Sequence, residues 1–91
     1  MIIAKVVGSA VATLKHDLLR TTKLLLVCQT DPQGNVVGQP FLAVDLVDAG
    51  ADELVVVSQG SSARVATGQN NSPVDAAIVG ILDSLQVQEA N

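Results

Sequence analysis

The chain holds one aromatic residue (Phe41), one histidine (His16) and one cysteine (Cys28), with no tryptophan or tyrosine. Each scarcity excludes a class of function. Single-strand nucleic-acid binding needs aromatic platforms and a basic groove; five basic residues against nine acidic ones, a formal net charge of −4, supply neither. Nucleic acid is therefore not an expected partner. One histidine and one cysteine cannot assemble the ligand set of a zinc site within one chain, so neither a metal nor another cofactor is expected. A lone cysteine forms no internal disulfide, and Cys28 lies within an apolar run, where a buried structural thiol is the expected state. That run extends only from Leu24 to Cys28, far short of the 18 or so residues a membrane helix requires. Met1-Ile2-Ile3-Ala4-Lys5 enters a strand pattern directly, without a charged leader region or cleavage site. The expectation is a soluble chain that stays where it is made, with no membrane partner.

What the chain has in excess is apolar surface. Hydrophobic residues make up 48% of its 91 positions, and a domain this small buries only about two-thirds of the surface its unfolded chain exposes. Residues 1–91 read as a single domain, and the surplus points to an oligomer. The dominant period is two, the signature of strands. From Ile2 to Leu14 the even positions are apolar or small, and the odd ones mix Ile3, Val7 and Val11 with Lys5, Ser9 and Thr13. Gly8 in mid-strand marks a bend. After a polar connection from Lys15, a second strand covers Thr22 to Thr30, bounded by Asp31-Pro32-Gln33-Gly34, a type I turn signature. A third strand spans Gln39 to Val47, with Leu42, Val44 and Leu46 on one face, followed by a turn over Asp48 to Asp52 and a fourth strand from Glu53 to Ser58. Ser61 to Val65 suits a single helical turn capped by serine and ending near Gly68. Gln69 to Pro73 is loop, and a last strand begins near Ala76 and runs to Leu85 or Val87. The expected fold is all-β, a five-stranded OB-like small barrel with one short helix between strands four and five. Several strands are apolar on both faces, as in Leu54-Val55-Val56-Val57. A barrel has one interior, so a neighbouring copy is the simplest cover for the other face.

Little in the chain carries chemistry. Gly60-Ser61-Ser62-Ala63-Arg64 lacks the final glycine of a nucleophile elbow, and 91 residues are too few for the fold that positions such a serine. His16 beside Asp17 reads as a surface pair. Asp45 and Asp83 each interrupt an apolar stretch, so each must be paired or reach water. Arg64 is a candidate partner for an acidic residue, including one across an interface. No catalytic residue is assigned.

The same residues resemble the vertex proteins of bacterial microcompartments, the EutN/CcmL family, along nearly the full length. The resemblance is carried by Ala4-Lys5-Val6-Val7-Gly8, by Lys23-Leu24-Leu25-Leu26-Val27 with Asp31-Pro32-Gln33-Gly34, and by Ala43-Val44-Asp45, Ala49-Gly50 and Glu53. It continues in Gly60-Ser61-Ser62-Ala63-Arg64, Pro73-Val74-Asp75-Ala76 and Gly80-Ile81-Leu82-Asp83. It implies a homopentamer shaped like a truncated pyramid that caps the corners of a polyhedral shell in the cytoplasm, beside hexameric shell proteins. By the same resemblance, Gly60, Ser61, Ser62, Ala63 and Arg64 lie at subunit contacts. Two departures bear on the outer surface: Asp48 and Asp52 stand where that family has glycines, and Gln86 to Asn91 lacks the basic residues of many relatives. Two other readings compete with the structural one. The first is an OB-type module for a ligand or nucleic acid, which the acidic, aromatic-poor composition disfavours. The second is a small hydrolase acting through Ser61 or Ser62.

Overall fold

The computed structural model describes residues 1–11, 22–68 and 74–88. Five strands, β1 (Ile2–Ser9), β2 (Leu24–Gln29), β3 (Phe41–Asp45), β4 (Leu54–Gln59) and β5 (Ala76–Ile81), close into a barrel in the order β1-β2-β3-β5-β4. One helix, α1 (Ser61–Thr67), lies between β4 and β5 in the chain. The expected all-β barrel with a short helix is thus observed. The connection carrying His16 and Asp17, and the loop 69–73, lie outside the described residues.

Alternation places Ala4 and Val6, Leu25 and Val27, Ala43, Val55 and Val57, and Ala76 and Ile78 in one interior cluster. The pairs are antiparallel except β3 with β5, a parallel seam held by Val44 opposite Ala77 and Asp45 opposite Ile78. Gly8 sits where expected of a bend: the β1–β2 register shifts between Val6 and Gly8, and Val7 bulges outward. The predicted turn after β2 also forms. The Gly34 amide donates to the Asp31 carbonyl at 3.0 Å, and the Asp31 carboxylate accepts from the amides of Gln33 and Asn35, each at 2.9 Å. The Asn35 amide in particular holds that carboxyl below its ordinary value.

Three expectations change. The last strand stops at Ile81, not at Leu85 or Val87, because the Leu82 amide donates to the carbonyl of Leu54, the first residue of β4. Beyond Leu54 the chain continues beside β1, the Val6 amide donating to the Glu53 carbonyl at 3.0 Å, and among the described residues no strand lies alongside residues 82–88. The helix begins on Gly60 rather than on a serine cap, and it makes no side-chain capping bond. The outer apolar face is also not left wholly to a partner. Ala63 of α1 packs with Val44, Val74 and Ala77 in a second cluster outside the barrel wall.

The two aspartates of the third turn occupy left-handed backbone, with φ of 57° at Asp48 and 67° at Asp52. A side chain in this region costs roughly 1–2 kcal/mol, less for aspartate than for most residues. The Asp52 amide bonds the Val6 carbonyl, and a substitution leaves that bond in place. Its carboxylate lies 3.9 Å from Lys5 and is 84% exposed, a pair of little weight. Asp52→Gly should therefore be at least as stable as the parent and about 1 kcal/mol more stable than Asp52→Ala, as read by thermal melts of the two variants.

Candidate assembly surface

The segment expected at subunit contacts divides in the structure. Gly60 turns the chain from β4 into α1 at φ 64° and ψ −139°, a conformation close to exclusive to glycine. Its amide donates to the Asp75 carbonyl at 2.8 Å, and its carbonyl accepts from the Ala63 amide at 3.1 Å. Ala63 is fully buried in its own protomer. Gly60 and Ala63 therefore set the helix on the wall, and Ser61 and Ser62 are exposed on it. The Arg64 guanidinium donates to the Val74 carbonyl at 3.4 Å, and among the described residues it enters no ion pair. A Cβ at Gly60 would meet nothing within 4 Å, so Gly60→Ala tests the backbone alone. It should destabilise by about 2 kcal/mol, measured by denaturant unfolding at fixed chain concentration.

Ser61, Ser62, Val65 and Ala66 of α1 form one wall of a groove completed by Met1, Ser58 and Val79. Four of its seven lining residues are apolar, the Ser61 and Ser62 hydroxyls are exposed beside them, and Ser58 is buried. Met1 and Val65 are among the most exposed hydrophobic side chains, at 87% and 69%. Further round the barrel, Leu42 pairs across from Leu26 on the outer face and Leu46 follows β3; Leu42 and Leu46 are also exposed. α1 covers Val44 between them and neither neighbour.

At the end of β3, Asp45 has a fully buried side chain. Its carboxylate accepts from the amides of Val47 at 3.1 Å and Ala49 at 3.1 Å, and Lys23 Nζ lies 3.3 Å away. Lys23 also donates to Asp48 at 3.0 Å. That bond first, and the one to Asp45 second, raise the Lys23 ammonium above its ordinary value of 10.5. The sequence marked Asp45 as needing a partner without showing which; the turn amides and Lys23 fill that role. Asp83, marked on the same grounds, lies past the end of β5 and faces water. Cys28 is buried, as expected, and its thiol points at the Gly38 carbonyl at 3.3 Å. Among the described residues no group of three or more His, Cys, Asp or Glu side chains could hold a metal ion. No helix among them is long and apolar enough to cross a membrane.

The family model described as "Ethanolamine utilisation protein EutN/carboxysome" matches residues 1–83. The chain belongs to the EutN/CcmL family. Among its relatives is the bacterial microcompartment shell vertex protein GrpN of Rhodospirillum rubrum, 44% identical over 86 residues that span 94% of this chain and 97% of that one. The carboxysome shell vertex protein CcmL of Nostoc sp. is 46% identical over 90 residues, 98% of this chain and 89% of its own. The solved structure described as a pentameric microcompartment shell protein, GrpN from R. rubrum, superposes with a TM-score of 0.87 at 41% identity, covering 97% of this chain and all of that one. A solved EutN structure superposes with a TM-score of 0.89 at 44% identity, covering 96% of this chain and 91% of that one. In this EutN/CcmL chain, the Gly60–Arg64 segment is a glycine pivot and a buried alanine that leave Ser61 and Ser62 exposed and Arg64 half-buried.

Proposed function

We propose that the chain is a vertex subunit of a bacterial microcompartment shell, working as a ring of five identical copies in the cytoplasm. The observation that carries this reading is near-full-length identity of 44% to a shell vertex protein whose own structure is pentameric. The barrel supports it physically. Leu42, Leu46, Val65 and Met1 remain exposed after α1 has covered what it can, and neighbouring copies can remove such surface from water at about 25 cal/mol per Å². Flat tiles of hexameric shell proteins cannot close a surface by themselves, and a five-fold unit at the corner supplies the curvature. The role needs no catalytic residue and no cofactor, and it involves neither nucleic acid nor a membrane. Of the five residues assigned to the contacts, Gly60 and Ala63 act by placing α1, whereas Ser61, Ser62 and Arg64 offer side chains to a neighbour. Native mass spectrometry of the full chain should give five times the 9.3 kDa protomer mass. A folded monomer at working concentration would overturn the proposal. A double-mutant cycle between Arg64 and the acidic residues, read on assembly, tests the arginine's part.

A further inference from the structure

The segment that follows β5 ends in a strand's pattern, and beyond the Leu82 amide's bond to Leu54 no strand among the described residues pairs with it. Leu85 and Val87 alternate with Gln86 and Gln88, yet residues 82–88 form no strand, and Leu85 and Val87 are 40% and 47% exposed. The α1 groove has a matching form. Its apolar lining of Met1, Val65, Ala66 and Val79 suits a leucine and a valine, and the exposed hydroxyls of Ser61 and Ser62 beside them suit glutamine amides. Arm and groove belong to opposite ends of one barrel. β5 runs antiparallel to β4, so Ile81 lies beside Val55 at the start of β4. The groove is built on Ser58 and on α1, after the end of β4, and on Met1, whose neighbour Ile2 pairs with Val57. The arm therefore leaves the barrel pointing away from its own groove and could enter it only by doubling back. Seven extended residues reach about 23 Å, comparable with the two shorter dimensions of the molecule, 24 and 21 Å. That is enough to lie across an adjacent barrel.

We infer that residues 82–88 of each protomer are an assembly arm, with Leu85 and Val87 seated in the α1 groove of the next copy. The inference rests on the ring reading above and names its contact. An arm at one end and a socket at the other make a head-to-tail contact, the kind that closes into a cyclic ring when the rotation per copy fits. Arm and socket are separate surfaces, so each can be disabled alone.

Two full-length variants test the assignment, Val65→Glu in the socket and Leu85→Glu with Val87→Glu in the arm. Native mass spectrometry should show the five-chain species falling at least about tenfold in each, the loss expected when an apolar anchor at an interface is replaced. Mixed one to one, the two variants should form a dimer of one arm variant with one socket variant, since only one arm–socket pair remains intact. A parent chain that is monomeric would remove the vertex reading and the arm with it. A pentameric parent whose variants stay pentameric, or whose mixture yields no dimer, would overturn the arm and leave the vertex reading standing. Val65→Cys with Val87→Cys in one chain guards against misfolding by glutamate. Oxidation should link protomers into a ladder ending at five chains on a non-reducing gel, and the absence of inter-chain links would also overturn the arm.

Discussion

Replacing Asp45 with alanine should lower stability by about 3 kcal/mol, measured by denaturant unfolding at fixed chain concentration. The effect is large because the carboxylate ends β3 by satisfying the amides of Val47 and Ala49, with Lys23 drawn to the same oxygens. Alanine leaves those donors facing a cavity that the surrounding chain must close or water must enter. Asp45→Asn keeps one acceptor for the turn and loses the charge beside Lys23, so it should fall between parent and alanine. The ammonium gives an independent reading. Its folded value lies above the ordinary 10.5, so its contribution is fully present below that pH and fades as the pH rises through the raised value. An alkaline decline in melting temperature that shrinks in Lys23→Met would follow. If Asp45→Ala cost less than 1 kcal/mol, the carboxylate would be no more than a surface pair.

What could be read in the sequence followed the range of the forces involved. The Asp31-Pro32-Gln33-Gly34 turn was legible because its bonds close within five residues. The interior face of β1 was legible because alternation is a local property, whereas β4, apolar at Leu54, Val55, Val56 and Val57 alike, showed no such face. The end of β5 was not legible, since Leu85-Gln86-Val87 take up the alternation again after Asp83-Ser84, and the strand nevertheless ends at Ile81. A strand is a property of two chains side by side, and one sequence shows half of it. The helix cap misled for a related reason. Ser61 and Ser62 have the chemistry of caps, but the backbone at Gly60 must reverse through positive φ to bring Ala63 onto Val44 and Ala77, and only the glycine permits that path. The candidate surface divided in the same manner. The Gly60–Arg64 segment stood out by resemblance, whereas the split between its buried alanine and its exposed serines required the wall it packs on. Val65, absent from the sequence-derived site, lies inside the helical turn that the sequence suggested and joins Ser61 and Ser62 in the groove.

Ile78→Ala should carry the largest single cost, about 4 kcal/mol, near the upper part of the range for isoleucine truncations in cores. Ile78 is fully buried and is one of the four largest side chains with no exposed surface, alongside Val27, Val55 and Val57. Several residues that share its cluster, Ala4, Ala43, Ala49 and Ala76, are alanines with no rotamers to swing into a void. The barrel wall is closed by hydrogen bonds on every side, so it resists collapse and the cavity persists. Position adds to volume, because Ile78 stands opposite Asp45 in the parallel seam, which has only two register pairs, and its carbonyl accepts from the Leu46 amide at 3.2 Å. In a domain of this length about 4 kcal/mol corresponds to a melting temperature lower by roughly 20 °C. Ile78→Val, which removes one methylene and leaves the branch that fills the seam, should cost about 1 kcal/mol. Leu42→Ala is the contrasting case. That side chain is 48% exposed on the outer face, so in unassembled protomers its loss should be well under half that of Ile78→Ala. Equal losses at Ile78 and Leu42 would mean that the barrel interior does not hold this fold together.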